Sequence, residues 1–147
     1  MTILKYVLLA LPCLLVGFHY LTKKFLNPYK LVFVFGKKGS GKSTVLTKLA
    51  YKNLIQGKTV YSTEDLTFKK KNKIYQTKPI NPRKIYEYQF EPGTIILIDE
   101  VSLIWDNRDF KSMDREVVKF FRYQRHYKVK TYLFSQTFDI DLGKEVA

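Results

Sequence analysis

The stretch LVFVFGKKGSGKST, residues 31–44, restricts the possible folds more than any other part of the chain. Its first five residues, Leu31–Phe35, form an apolar, β-prone run that is too short for a helix. Residues 42–56 have the apolar spacing of a helix, and Gly57 is a typical stop signal. A strand, a glycine-rich turn and a helix in this order are typical of a phosphate-binding loop in an α/β protein.

The turn matches the pattern G-x-x-x-x-G-K-[S/T], in which each fixed residue has a chemical role. Its glycines let backbone N–H groups converge on phosphate oxygens, and the following helix adds the positive end of its dipole. We expect catalytic Lys42 to reach the β- and γ-phosphates, Ser43 to ligate Mg²⁺, and Thr44 to lie near the α-phosphate. The predicted cofactors are therefore ATP and Mg²⁺, because a plain glycine turn would leave Lys42 unexplained. The predicted nucleotide-binding residues are Gly36, Lys37, Lys38, Gly39, Ser40, Gly41, Lys42, Ser43 and Thr44.

A second apolar run, Thr94–Ile98, ends in Asp99 and Glu100. Because the run does not alternate with polar residues, it is typical of a parallel strand covered on both faces. An Asp in this place holds Mg²⁺ in P-loop hydrolases, and a Glu after it can orient or deprotonate the attacking water. Ordinary turn residues are the alternative. With the phosphate loop upstream, Asp99 is a predicted metal ligand, Glu100 is a predicted catalytic residue, and hydrolysis is favoured over transfer to a small acceptor.

The acidic pair also predicts that another strand separates the two motif strands in the sheet. Residues 130–135 are the candidate, and Gln136 at their end is predicted to sense the γ-phosphate, with a solvent-facing side chain as the alternative. Residues 59–62 are predicted to form another strand and residues 69–84 a long basic loop with at most one short ordered piece. The sequence thus predicts an α/β P-loop NTPase, a three-layer sandwich with a mainly parallel sheet, over residues 31–147, compact or incomplete.

Residues 110–127 are predicted to form a helix with one apolar and one basic side. The basic side carries Arg115, Lys119, Arg122 and His126, with Arg125 beside them. Arg is the residue that serves γ-phosphates across a subunit boundary. We therefore expect Arg122 or Arg125 to act in catalysis on a neighbouring subunit. DNA contact and a solvated face are the alternatives.

The N-terminal residues 1–22 are almost entirely apolar and about as long as the ~30 Å hydrocarbon core requires. They are predicted to form one transmembrane anchor, followed by a basic linker at 23–30 whose lysines mark the cytoplasmic side. A cleaved signal peptide and a buried soluble helix are the alternatives. The linker reaches at most ~30 Å when extended, so we expect the nucleotide site to work close to the membrane.

Formal charge is distributed unevenly along the chain. Residues 1–90 hold 17 Lys or Arg and three acidic residues, whereas residues 91–147 hold 9 Lys or Arg and 10 acidic residues. The N-terminal excess suits a membrane surface or nucleic acid, and an AT-rich genome is the alternative explanation for so many lysines. A single cysteine, Cys13, excludes a disulfide framework, and no Cys/His cluster indicates zinc.

These residues together resemble the Zot-like family, the assembly ATPases of filamentous phages, which lie near the FtsK–HerA group. The resemblance covers about residues 31–141 and rests on GKKGSGKS, EPGTIILIDEV and RYQRHYKVKTYLFSQTFDIDL. It implies a ring-forming ATPase, single-pass in the host inner membrane with its ATPase domain on the cytoplasmic side. That machine would extrude phage single-stranded DNA with its coat proteins. By position, Lys42, Ser43, Asp99 and Glu100 would be its ATPase residues, while Arg125 and His126 fall in its basic motif.

Two departures from the family pattern limit what the resemblance implies. The family usually places its membrane segment after the ATPase domain, whereas here the candidate segment comes first, so no toxin-like activity can be inferred from the resemblance. A complete sheet of this class also has a further strand that the last ten residues hardly supply. Two other functions stay open: a nucleotide-dependent membrane scaffold with negligible hydrolysis, and a small-molecule kinase, which lacks an evident lid or acceptor motif.

Overall fold

The computed structural model describes residues 2–23, 27–105 and 114–136, with side chains from residue 10 onward. Four α-helices and one 3₁₀-helix are described: α1 (Thr2–Lys23), α2 (Lys42–Ile55), the 3₁₀-helix (Pro82–Glu87), α3 (Val101–Ile104) and α4 (Arg115–Tyr123). The strands are β1 (Leu31–Phe35), β2 (Val60–Ser62), β3 (Thr67–Lys70), β4 (Lys73–Gln76), β5 (Lys78–Pro79), β6 (Ile95–Ile98) and β7 (Lys130–Ser135).

Five strands form one parallel sheet in the order β1-β7-β6-β2-β5. Strand β7 pairs with β1 from Leu31↔Thr131 to Phe35↔Ser135, and on its other side with β6 from Ile95↔Lys130 to Ile98↔Leu133. The strand predicted at residues 130–135 therefore lies between the two motif strands, as expected. The α/β fold with a parallel central sheet is confirmed.

Helices cover the sheet on both faces and bury two apolar clusters. On one face, α2 packs its buried side chains Leu46, Ala50 and Leu54 against Val60, Ile95, Leu97 and Phe134. On the other face, the 3₁₀-helix, α3 and α4 pack against Ile96, Ile98 and Leu133. Alternate residues of β6 thus enter opposite clusters, which explains why the sequence of this strand is apolar throughout.

The segment predicted as a long basic loop is more ordered than expected. Strands β3 and β4 form an antiparallel hairpin joined by a two-residue turn, in which Lys71 adopts a positive φ of 53°. Phe68 and Tyr75 lie opposite each other and pack beside the α2 cluster. The loop prediction was wrong because the lysines and prolines hid this apolar pair. We call residues 67–76 the lysine hairpin.

The basic helix is shorter than the predicted range of residues 110–127. It begins at Arg115 after Asp114, whose side chain accepts a hydrogen bond from the N–H of Glu116 at 2.9 Å, and it ends at Tyr123. Residues 110–113 lie outside the described residues. The chain turns after Tyr123 because the buried Val129 donates its N–H to Gln124 O. Arg125 and His126 therefore lie in the turn rather than on the helix.

Asp114 also connects α4 to the 3₁₀-helix. The hydrogen bond between the Tyr86 side chain and Asp114 raises the pKa of the Tyr86 phenol, with burial and the negative charge of Asp114 as further causes. Nearby, the Arg83 guanidinium donates to the carbonyl of Ile104 at 3.2 Å, at the end of α3. These polar contacts fix the layer opposite α2.

Residues Thr2–Lys23 form a helix that contains Pro12, in agreement with the predicted helix. From residue 10 onward its large apolar side chains are exposed, with 70% of Leu14 and 78% of Tyr20 accessible. Among the described residues, however, no helix combines the length and the apolar character that a membrane span requires. The transmembrane assignment of residues 1–22 is therefore not confirmed.

Candidate nucleotide site

Three motif residues follow strands that end at the same edge of the sheet. Gly36 follows β1, Asp99 follows β6, and Gln136 follows β7 between them. The N–H of Gly36 donates to the carbonyl of Ser135 at 3.2 Å, which joins the start of the phosphate loop to the end of β7. Ligands of open α/β sheets bind outside the carboxyl ends of the strands. The fold thus brings the predicted motifs together at one edge.

The phosphate loop has a backbone that only glycine adopts easily. Gly39 and Gly41 have φ values of 80° and 85°, in the left-handed region. A Cβ on Gly36 would clash with the Ser40 Oγ, so a side chain there would require the Ser40 hydroxyl to move. The Lys42 ammonium donates hydrogen bonds to the carbonyls of Gly36 and, at 3.0 Å, Lys37. This arrangement places a cation within the loop at the start of α2.

The residues at the start of α2 fit a nucleotide with Mg²⁺. Ser43 and Thr44 are exposed in the first turn, where unpaired backbone N–H groups favour phosphate. A serine hydroxyl and a carboxylate such as Asp99 offer the oxygen ligands that Mg²⁺ prefers. The Thr47 hydroxyl donates to the Ser43 carbonyl at 2.7 Å and fixes the turn.

Asp99 is held by the neighbouring strand end. Its N–H donates to the Thr63 Oγ at 2.9 Å, and the N–H of Thr63 donates to the carbonyl of Leu97 at 3.1 Å. Its own carboxylate accepts the Glu100 N–H at 2.9 Å. Sequence reasoning missed Thr63. The available signal was its position directly after the strand predicted at residues 59–62, at the edge where Asp99 was expected.

Glu100 adopts an unusual backbone conformation and contacts Gln136. Its φ of 50° and ψ of 48° lie in the left-handed region, which costs a non-glycine residue about 1–2 kcal/mol. The Gln136 side-chain amide donates to the Glu100 carboxylate at 3.3 Å. The structure therefore brings these two predicted catalytic residues into contact. Strain of this kind is found at functional sites.

The two candidate arginines lie far from this edge. The turn after α4 carries Arg125 and leads into the start of β7, where the carbonyl of Lys128 accepts the N–H of Gly93. This is the amino edge of the parallel sheet, opposite the phosphate loop. Arg122 is in the last turn of α4, close to the same end, and both side chains are exposed. Within one chain, therefore, the structure does not bring Arg122 or Arg125 to the nucleotide site.

Comparison with known proteins identifies the same domain type. The sequence profile described as an AAA domain matches residues 28–138. A crystal structure of the N-terminal domain of zonular occludens toxin from Neisseria meningitidis matches with a TM-score of 0.51 and 20% identity. The match covers 74% of this chain and 66% of that one. The fold is thus similar to that of a Zot domain, of which this chain spans slightly less than two thirds. No curated protein shows a significant sequence match.

Proposed function

The chain belongs to the AAA domain family, and from this premise we propose that it is an ATPase whose hydrolysis drives filamentous-phage assembly or transport of single-stranded DNA at the host inner membrane. The contact between Glu100 and Gln136 beside the phosphate loop carries this proposal. At the ends of two adjacent strands, the Glu100 carboxylate can accept a proton from the attacking water and the Gln136 amide can contact the γ-phosphate.

Glu100 acts as the general base in this mechanism. Its carboxylate is exposed beside the end of β7, so it is accessible to a water molecule, and Gln136 fixes its orientation. Proton abstraction by a positioned side chain contributes about 10²–10⁴-fold to a rate. Glu100 precedes α3 with a left-handed backbone, and its contact with Gln136 places the carboxylate beside the end of β7.

Lys42, Ser43 and Asp99 bind the ground state. The Lys42 ammonium exchanges the carbonyls of Gly36 and Lys37 for phosphate oxygens when a nucleotide enters the loop. Ser43 and Asp99 would hold Mg²⁺, which neutralises charge on the phosphates when bound. The hydrogen bond from Asp99 N–H to Thr63 keeps the carboxylate at the carboxyl edge of the sheet.

Two observations support the link to phage assembly. The fold is similar to the N-terminal domain of a zonular occludens toxin, and the sequence carries the three Zot-like motifs in family order. The exposed apolar side chains of α1 are suited to a membrane environment, which supports a location at the inner membrane. The lysines of the linker at 23–30 support a cytoplasmic position of the nucleotide site. Arginines at the sheet edge opposite the phosphate loop suit a ring, in which one subunit serves the nucleotide of the next.

Measurements on two variants test the proposal. Glu100→Gln keeps the size of the side chain but cannot accept a proton, so hydrolysis should fall about 10²–10⁴-fold while Mg–ATP still binds. Lys42→Ala should instead weaken nucleotide binding itself. Phosphate release and binding of a fluorescent ATP analogue distinguish the two effects, and single-stranded DNA should stimulate the wild-type rate. Near-normal turnover by Glu100→Gln would contradict the mechanism, and negligible wild-type turnover would favour a scaffold.

A further inference from the structure

The lysine hairpin, residues 67–76, combines concentrated positive charge with one exposed aliphatic side chain. Four lysines of the hairpin are exposed: Lys69, Lys70, Lys71 and Lys73. Ile74, which follows Lys73 in β4, has 71% of its surface exposed. We propose that this hairpin binds the surface of an anionic lipid bilayer, with the lysines on the headgroups and Ile74 inserted at the acyl boundary. This inference does not depend on ATP hydrolysis.

The strand register separates the hairpin into two faces. Residues directly opposite each other in an antiparallel pair share a face, so Phe68 and Tyr75 lie together and pack beside the α2 cluster. Lys69 and Ile74 are also opposite each other, one position away, and therefore point from the other face. Lys70 and Lys73 form the last pair before the turn and lie on the face of Phe68 and Tyr75, and Lys71 is in the turn, so the lysines surround the tip of the hairpin rather than one face of it. Ile74 is thus fixed outward by the same register that buries Phe68 and Tyr75. A register slip would expose two aromatic rings, so the outward position of Ile74 is well determined.

The positive charge of the hairpin is not compensated locally. Among the described residues, the ion pairs are Lys84–Glu87 and Lys119–Glu116, and neither involves the hairpin. Asp65, near the base of the hairpin, accepts a hydrogen bond from Gln76 instead. Four lysines within five residues therefore present their full charge to an external anion. Each lysine near an anionic bilayer contributes about fivefold to its affinity.

The chemistry of the outward face favours lipid over nucleic acid. Sequence-tolerant binding of single strands relies on aromatic rings against which bases stack, but both hairpin aromatics pack inward beside α2. The exposed Ile74 has no aromatic ring on which a base could stack, and contacts between lysines and nucleic-acid phosphates do not require an apolar side chain. An apolar side chain flanked by lysines is instead the combination that places a segment in the interface of an anionic membrane.

Vesicle flotation of the full chain tests this assignment. We expect wild-type protein to associate with vesicles of phosphatidylcholine and phosphatidylglycerol (3:1) at least about tenfold more strongly than with pure phosphatidylcholine vesicles. The neutral vesicles also measure whatever α1 contributes alone. Replacing Lys69, Lys70, Lys71 and Lys73 by Gln should abolish this preference. Ile74→Ser should weaken association with the anionic vesicles at least about threefold at unchanged charge.

A matched variant controls for net charge. Gln replaces four exposed lysines elsewhere, Lys52, Lys58, Lys119 and Lys128, and this protein should keep most of the anionic preference. Circular dichroism and nucleotide binding confirm that each variant is folded. If the two quadruple variants lose the preference for anionic vesicles equally, the proposal is overturned, because net charge rather than the hairpin then explains the binding. A normal anionic preference in Ile74→Ser, with oligonucleotide binding that depends on the hairpin lysines, would overturn it in favour of nucleic acid.

Discussion

Replacing Glu100 by glycine is expected to remove hydrolysis and to leave the fold more stable than replacement by alanine does. Glu100 has a φ of 50° and a ψ of 48°, and this left-handed conformation costs an L-residue about 1–2 kcal/mol that glycine does not incur. Glycine loses roughly 0.5–1 kcal/mol more than alanine in conformational entropy on folding. The Glu100 side chain is exposed, so its loss contributes little. Glu100→Gly should therefore be about 0.75 kcal/mol more stable than Glu100→Ala, the centre of a range of about 0–1.5 kcal/mol.

Thermal unfolding followed by circular dichroism measures this difference. For a chain of 147 residues, 1 kcal/mol corresponds to about 2–4 °C in Tm, so we expect Glu100→Gly to melt about 1–4 °C above Glu100→Ala. Phosphate release should be lost in both variants, because neither retains the carboxylate.

Lys128 provides a matched control at a distance from the site. It has a similar φ of 53° in the turn before β7, so Lys128→Gly should gain stability over Lys128→Ala without loss of hydrolysis. The reasoning is refuted if the Lys128 pair shows this gain and the Glu100 pair does not. It is also refuted if Glu100→Gly still hydrolyses ATP at the wild-type rate.

Three further predictions concern other parts of the molecule. If Arg125 acts on a neighbouring subunit, the Arg125→Ala variant should lose most of its ATPase activity. Mixing it with the inactive Lys42→Ala variant should restore part of that activity, because some interfaces then pair an intact arginine with an intact phosphate loop. No recovery of activity at any mixing ratio would argue against this role. Deletion of residues 2–22 should reduce sedimentation with membranes while nucleotide binding is kept, and undiminished sedimentation at high salt would contradict a role for α1. Asp114→Ala should destabilise the fold by about 1 kcal/mol through the lost helix cap and return the pKa of Tyr86 toward its ordinary value. In the wild type, the hydrogen bond between Tyr86 and Asp114 stabilises the fold fully below the ordinary tyrosine pKa. This stabilisation is lost as pH rises through the raised pKa of Tyr86. An unchanged Tyr86 titration, followed by NMR, would contradict that account.

The central sheet could be predicted because its signals are local. Strand β6 is apolar throughout, and its confirmed burial on both faces follows directly from that pattern. The phosphate loop was recognised from fixed residue types, among them Gly41, whose φ of 85° in the structure favours glycine. The position of β7 was predicted from the acidic pair Asp99 and Glu100, and the strand order confirms it.

The surrounding elements were harder to predict because tertiary contacts define them. The amphipathic pattern of α4 continues past Tyr123, but the buried Val129 forces the chain to turn earlier. The lysine hairpin depends on one apolar pair, Phe68 and Tyr75, each three residues from a two-residue turn. Thr63 could not be assigned a role because its partner, the N–H of Asp99, is 36 residues away in the chain.

The pairing of β1 has a consequence for the synthesis of the chain on the ribosome. Among the described strands, β1 is hydrogen-bonded only to β7, although the two lie about a hundred residues apart in the sequence. At 5–20 residues per second, an emerging β1 therefore waits about 5–20 s for its partner. During that time its apolar residues and the following loop have no strand to hold them. Nucleotide can thus stabilise the nascent domain only after β7 has left the ribosome.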